Sequence, residues 1–140
     1  MISLKPLQRL AALSILLSMV ACGGEDESTA KSSTIEPKLQ AIEQKVFAQS
    51  CTFSSCHGTD SPKQGLSLVA PTHAALVGKA SNEVSGRVLV VPFDAEQSYL
   101  YEKLTKDQPA SGARMPFASE ALSGEQLAAI KLWIENGALE

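Results

Sequence analysis

The stretch Cys51-Thr52-Phe53-Ser54-Ser55-Cys56-His57-Gly58 holds two of the chain's three cysteines and one of its two histidines. Two thiols this close can bond each other, bind a metal ion or be alkylated by a haem. The third outcome needs a cysteine followed directly by a histidine, so that a thioether fixes one porphyrin edge while the adjoining imidazole ligates iron. Cys56-His57 supplies that pair. The usual attachment spacing leaves two residues between the cysteines. Here four intervene, so the first thioether requires the extra residues to bulge outward. Zinc fits less well: Cys51, Cys56, His57 and His73 are the only thiols and imidazoles after residue 22, and adjacent Cys56 and His57 chelate one ion awkwardly.

Upstream of this stretch, Ile35, Leu39, Ile42 and Val46 recur at spacings of four, three and four, with Phe47 broadening the stripe. That pattern predicts a helix over residues 36–49, with Pro37 in its first turn. Downstream, residues 61–67 read as turns and 71–77 as a short helix stopped by Gly78. Residues 88–91 form a brief apolar extended run ending at Pro92, and Asp94 is placed to cap a helix over 95–105. After a loop over 106–117, Ser123 and Gln126 open a last helix carrying Leu127, Ile130, Trp133 and Ile134, with Gly137 past its end. The expectation is an all-α domain of three to five helices with long loops. Long connections in a compact domain pack around something. A folded part of roughly 100 residues, in a chain only 5% aromatic, gains from an internal apolar cofactor or a crosslink.

A second axial ligand must come from elsewhere in the chain. Met1 and Met19 lie in the N-terminal apolar segment, which leaves Met115 as the domain's methionine, in the loop Gly112-Ala113-Arg114-Met115-Pro116. There a thioether can approach iron from the face opposite His57; the plainer role is a gap-filling core residue. His73 is the other soft donor, and its plainer role is a helix-surface histidine. Tyr99 and Tyr101 read as helix packing. Arg114 reads either as a partner for a haem propionate or as a solvated loop cation.

The N-terminus argues for export. Lys5 and Arg9 precede an apolar run over 10–20 that is short for a permanent membrane span. It ends in Met19-Val20-Ala21-Cys22, followed by Gly23-Gly24, which resembles the lipobox of bacterial lipoproteins. That resemblance implies a signal peptide over 1–21 and lipidation of Cys22. Gly23 differs from the aspartate that holds enterobacterial lipoproteins at the inner membrane. The implied location is therefore the bacterial cell envelope, lipid-anchored at the outer membrane on its periplasmic side. Residues 22–34 have the Gly, Ser, Thr and acid-rich composition of a flexible tether, and the domain is expected over 35–140. Loss of 1–21 removes two of the 12 Lys and Arg residues and none of the 15 acids, leaving 10 against 15 and a net charge of −5. Such a balance argues against nucleic-acid or anionic-lipid binding. The length and composition likewise exclude a polytopic membrane protein and a multidomain enzyme.

Taken in order, Phe47, Cys56-His57-Gly58, Gly65-Leu66 with Leu68, His73 with Leu76-Val77-Gly78, Val91-Pro92, Ser98-Tyr99-Leu100-Tyr101 with Lys103-Leu104, Arg114-Met115-Pro116, and Leu127, Ile130, Trp133-Ile134 with Gly137-Ala138 are similar to one known pattern. It resembles the cytochrome c-like domains of bacterial exported lipoproteins, including planctomycete-type and myxobacterial ones, over residues 42–139. The resemblance implies a class I cytochrome c-like fold whose first and last helices cross. It further implies one haem c held covalently by Cys51 and Cys56, with His57 and Met115 as iron ligands. The expected function is that of a membrane-tethered monohaem c-type cytochrome carrying single electrons between periplasmic redox partner proteins. No small-molecule substrate is expected, and no enzyme, since neither a catalytic carboxylate–histidine pair nor a substrate domain is apparent. The competing reading is a non-haem structural or interaction lipoprotein that closes a Cys51–Cys56 disulfide.

Overall fold

The computed structural model describes residues 34–140. The expected signal peptide, Cys22 and nearly all of the expected tether lie outside the described residues. None of the described helices is long and apolar enough to cross a membrane.

The N-terminal helical rod begins at Leu39, three residues later than the periodicity predicts, and is built from three consecutive pieces. Leu39–Ile42 (α1) is α-helical, Glu43–Phe47 makes a π-helical turn, and Ala48–Ser50 (α2) returns to α geometry. A π turn holds one residue more than an α turn, and such bulges are rare outside functional or strained positions. Here Val46 and Phe47 are buried together. From the same turn Glu43 Oε1 accepts hydrogen bonds from the Thr72 amide (2.6 Å) and hydroxyl (2.8 Å). Those bonds fix the entry to α3, which covers His73–Leu76 rather than the whole of 71–77.

Tyr99–Thr105 (α4) also starts later than predicted, and Asp94 does not cap it. Asp94 Oδ1 instead accepts from the Gln97 amide (3.0 Å) within a turn. The fully buried Ser98 hydroxyl must find partners, and it does so on the backbone, donating to Asp94 O (2.7 Å) and accepting from the Val91 amide (2.9 Å). The first amides of α4, those of Tyr99 and Leu100, then donate to the carbonyls of Val88 and Leu89 (both 2.9 Å). The apolar run 88–91 is thus an extended segment linked by isolated bridges to Val77, Ala80 and Ser98. It caps a helix through long-range bonds, a service normally given by a neighbouring side chain.

Gly124–Glu135 (α5) begins and ends as its sequence predicts. Ser123 and Gln126 exchange both bonds of a capping box. At the other end the Ala138 amide reaches Trp133 O (2.9 Å) and the Gly137 amide Ile134 O (3.0 Å), a Schellman closure. Gly137 sits at φ +98°, and a Cβ there would lie 2.8 Å from the Phe93 ring, so glycine is required twice over. Both α1 and α4 pack on α5. Ile42, Phe47, Leu76, Val90, Leu104, Ile130, Trp133 and Ile134 belong to the single buried cluster between them. The described domain is helical and contains no strand.

Candidate functional site

The rod ends at Ser50, where Cys51 leaves helical geometry while its amide still donates to Phe47 O (2.9 Å). The helix end therefore sets the position of the first thiol. The chain then makes an arc and returns: the His57 amide donates to Cys51 O (3.0 Å) and the Cys56 amide to Phe53 O (2.8 Å). Of the four intervening residues, 53–55 are exposed, with Phe53 60% exposed, whereas Thr52 is half-buried and donates its hydroxyl to Ala48 O (3.2 Å). Gly58 lies directly beneath the arc. A Cβ on it would come within 3.2 Å of Thr52 O and 3.3 Å of Phe53 O, which leaves little room for any side chain.

His57 is fixed through both backbone and ring. Its carbonyl accepts from the Leu68 amide (2.9 Å), and its Nδ1 lies 2.8 Å from Leu66 O. A carbonyl only accepts, so Nδ1 carries a proton, and Nε2 is the ring nitrogen left to ligate a metal in the neutral imidazole. Among the described residues no group of three or more His, Cys, Asp or Glu side chains is arranged to hold a bare metal ion.

A cavity of about 930 Å³ collects the predicted site residues. Cys51, Cys56 and His57 reach it from one side of the sequence and Met115 from the other, and Phe47, Leu68, Leu100, Leu104 and Leu122 supply apolar wall. The volume falls within the roughly 300–1,000 Å³ typical of cofactor sites. His73 is not on this wall. Its Nε2 bonds Ala138 O (3.0 Å) and its Nδ1 lies 3.5 Å from the Glu140 carboxylate. Arg114 also stays outside, paired with Asp107 (2.7 Å). Two rim residues, Phe53 and Phe117 (70% exposed), carried no signal in the sequence, because an isolated loop phenylalanine has no periodicity to reveal it.

Part of the wall is polar. Tyr99 donates its hydroxyl to Glu83 Oε2 (2.9 Å), and Lys103 Nζ lies 3.3 Å from the same carboxylate. Burial first, and the Glu83 carboxylate second, push the Tyr99 phenol up to about 12. Next to this pair, Arg87 and Glu102 form a second ion pair. The Ala110 amide, aided by Arg87, outweighs burial and holds the Glu102 carboxyl below its ordinary pKa. Tyr99, expected only to pack, is therefore part of the cavity lining, whereas Tyr101 is not.

Both thiols are free in this structure. Burial, with a smaller contribution from neighbouring Cys56, pushes Cys51 up from 9.0 to about 11. Its thiolate, the form that attacks disulfides, is thus scarce at neutral pH. A raised thiol pKa makes the unfolded chain ionise first. The stability contribution is whole below about pH 9 and is lost as pH climbs toward 11, on the order of 3 kcal/mol for the two-unit shift. Urea titrations of the thiol form at pH 8 and 11 should show this fall. It should shrink in Cys51→Ala, and equal losses in both proteins would mean that Cys51 is not buried as described.

No protein-family model, curated protein or solved structure matches this chain.

Proposed function

We propose that this protein is a monohaem c-type cytochrome with a class I-like fold, tethered to the cell envelope through Cys22, that passes single electrons between redox partner proteins. The observation that carries this reading is convergence. Cys51, Cys56, His57 and Met115, chosen as a set from the sequence, line one cavity of cofactor size whose wall is part apolar and part polar. The Nδ1–H of His57 is committed to Leu66 O, and three of the four residues between the cysteines, 53–55, are exposed. The donor set fits haem c: two thiols for thioether links, an imidazole with Nε2 left to ligate iron and one soft thioether.

When bound, the iron porphyrin supplies a one-electron ferric/ferrous couple. The chain's contribution is to place and tune it. Cys51 and Cys56 would hold the porphyrin, His57 would present Nε2 in a fixed orientation, and Met115 would supply a sulfur that raises the potential relative to a second imidazole. Apolar walls from Phe47, Leu100 and Leu104 limit water and lower the local dielectric. A short tether to a lipid anchor raises the effective concentration of the domain near membrane-bound partners.

The experiment is a mass spectrum of the denatured, alkylated protein made in a host that matures c-type haem. A haem mass on the peptide spanning residues 51–57, with no alkylation at either cysteine, is expected, together with acyl chains on Cys22. Two cysteines joined to each other, on a colourless protein, would replace this reading with that of a non-haem interaction module.

A further inference from the structure

Two consecutive residues of α4 carry buried charges: Glu102 is 6% exposed and Lys103 7%. Such groups are costly unless paired, and each is paired with the segment before α4, Glu102 with Arg87 and Lys103 with Glu83. Neither stops at its ion pair. Glu102 Oε1 reaches beyond Arg87 to accept from the Ala110 amide (2.6 Å), and Lys103 Nζ reaches beyond Glu83 to donate to Ser111 O (2.9 Å). The Lys103 carbonyl then accepts from the amide of Met115 itself (2.7 Å). Two adjacent residues therefore grip the loop at positions 110, 111 and 115. The other ion pair on this loop, Arg114 with Asp107, is exposed and joins the loop only to itself. Glycine at 112 suits this arrangement, since it sits at φ +64° and a Cβ there would lie 3.1 Å from Glu83 Oε1 and 3.3 Å from Lys103 Nζ.

We propose that Glu102 and Lys103 form a clamp that positions Met115 at the cavity, braced from behind by Arg87 and Glu83. They are positioning residues that act through the loop, and Lys103, with Glu83, also forms part of the cavity wall, which is why Lys103→Arg is the control for its charge. This inference rests on the assignment of Met115 as the distal iron ligand. A methionine held in place must be displaced before another ligand can bind iron, so the apparent affinity for an added ligand reports how often the loop lets go.

The test uses the full haem-loaded protein and a titration of the ferric form with imidazole, followed by its visible spectrum. Glu102→Leu and Lys103→Leu, which remove the acceptor for the Ala110 amide and the donor to Ser111 O, should keep haem covalently attached, weaken the sulfur-to-iron absorption near the red end, and bind imidazole about tenfold more tightly. Lys103→Arg, which keeps the charge and the donors, should bind as the parent does. Met115→Ala marks the upper limit of affinity, and adding Lys103→Leu to it should change nothing further. If both clamp variants keep the parent affinity while Met115→Ala tightens binding, the clamp is wrong and the ligand assignment stands. If Met115→Ala itself leaves affinity unchanged, both fail. Should a clamp variant lose its fold or its haem, amide exchange in the parent decides. Ala110 and Met115 amides slowed about tenfold or more relative to the exposed Gln108 amide support the clamp. An Ala110 amide exchanging at the rate of Gln108 overturns it.

Discussion

Trp133→Ala is expected to remove most of the domain's stability. The indole is 2% exposed on α5, within the cluster that joins α1, α4 and α5, and its Nε1–H donates to Leu139 O (2.7 Å). Truncating a buried tryptophan costs about 3–5 kcal/mol from lost transfer energy and the cavity left behind. The lost bond to Leu139 O also unfastens the C-terminal turn over the Schellman closure, a smaller effect because Leu139 is exposed and its carbonyl can bond water instead. Domains of this size have on the order of 5–10 kcal/mol in total. Trp133→Phe keeps a ring in place and loses only the donor and part of the volume, so it should fall about midway. Urea unfolding followed by far-ultraviolet circular dichroism measures both variants, since removing the chain's single tryptophan removes its fluorescence. A loss below about 1 kcal/mol in Trp133→Ala would mean that the three-helix junction is not the centre of the core.

Met115→Ala carries the second large effect, on the proposed redox centre. Met115 lies on the cavity wall and its backbone is held by α4, so truncation removes a sulfur while leaving the loop's bonds to Glu102 and Lys103 intact. Haem should remain attached through Cys51 and Cys56, the sulfur-to-iron absorption should vanish, and the reduction potential should fall. Axial ligation spans roughly 0.8 V across haem proteins, so a drop on the order of 0.2 V is the expected scale. Equilibrium titration against redox dyes reads it. An unaltered spectrum and potential would remove Met115 from the iron. His73 does not line the cavity: its ring nitrogens face Ala138 O (3.0 Å) and the Glu140 carboxylate (3.5 Å).

The legibility of the fold varied with the range of the interactions that set it. The ends of α5 were readable because Ser123, Gln126 and Gly137 act on backbone within a few residues of themselves. The start of α4 was not, because its first amides are satisfied by Val88 and Leu89, and no local sequence feature announces a cap supplied from eleven residues away. The π turn at Glu43–Phe47 was hidden by a stripe of apolar residues that suits an ordinary helix equally well. At the site, side-chain chemistry was legible and its surroundings were not. Cys51, Cys56, His57 and Met115 stood out by type and scarcity, and all four line the cavity. Glu102 and Lys103 look, in sequence, like the wetted face of an amphipathic helix. Only tertiary structure brings Glu83, Arg87 and the loop over them.

The arc at residues 52–55 has a practical corollary. The ends of that arc are tied by the Cys51 carbonyl and the His57 amide, and His57 is in turn moored to Leu66 and Leu68. Residues spliced in after Phe53 would break the Cys56 amide bond to Phe53 O, so the second sulfur would then be placed only through its neighbour His57, and extra chain there would loosen that thiol while leaving the first where the helix end puts it.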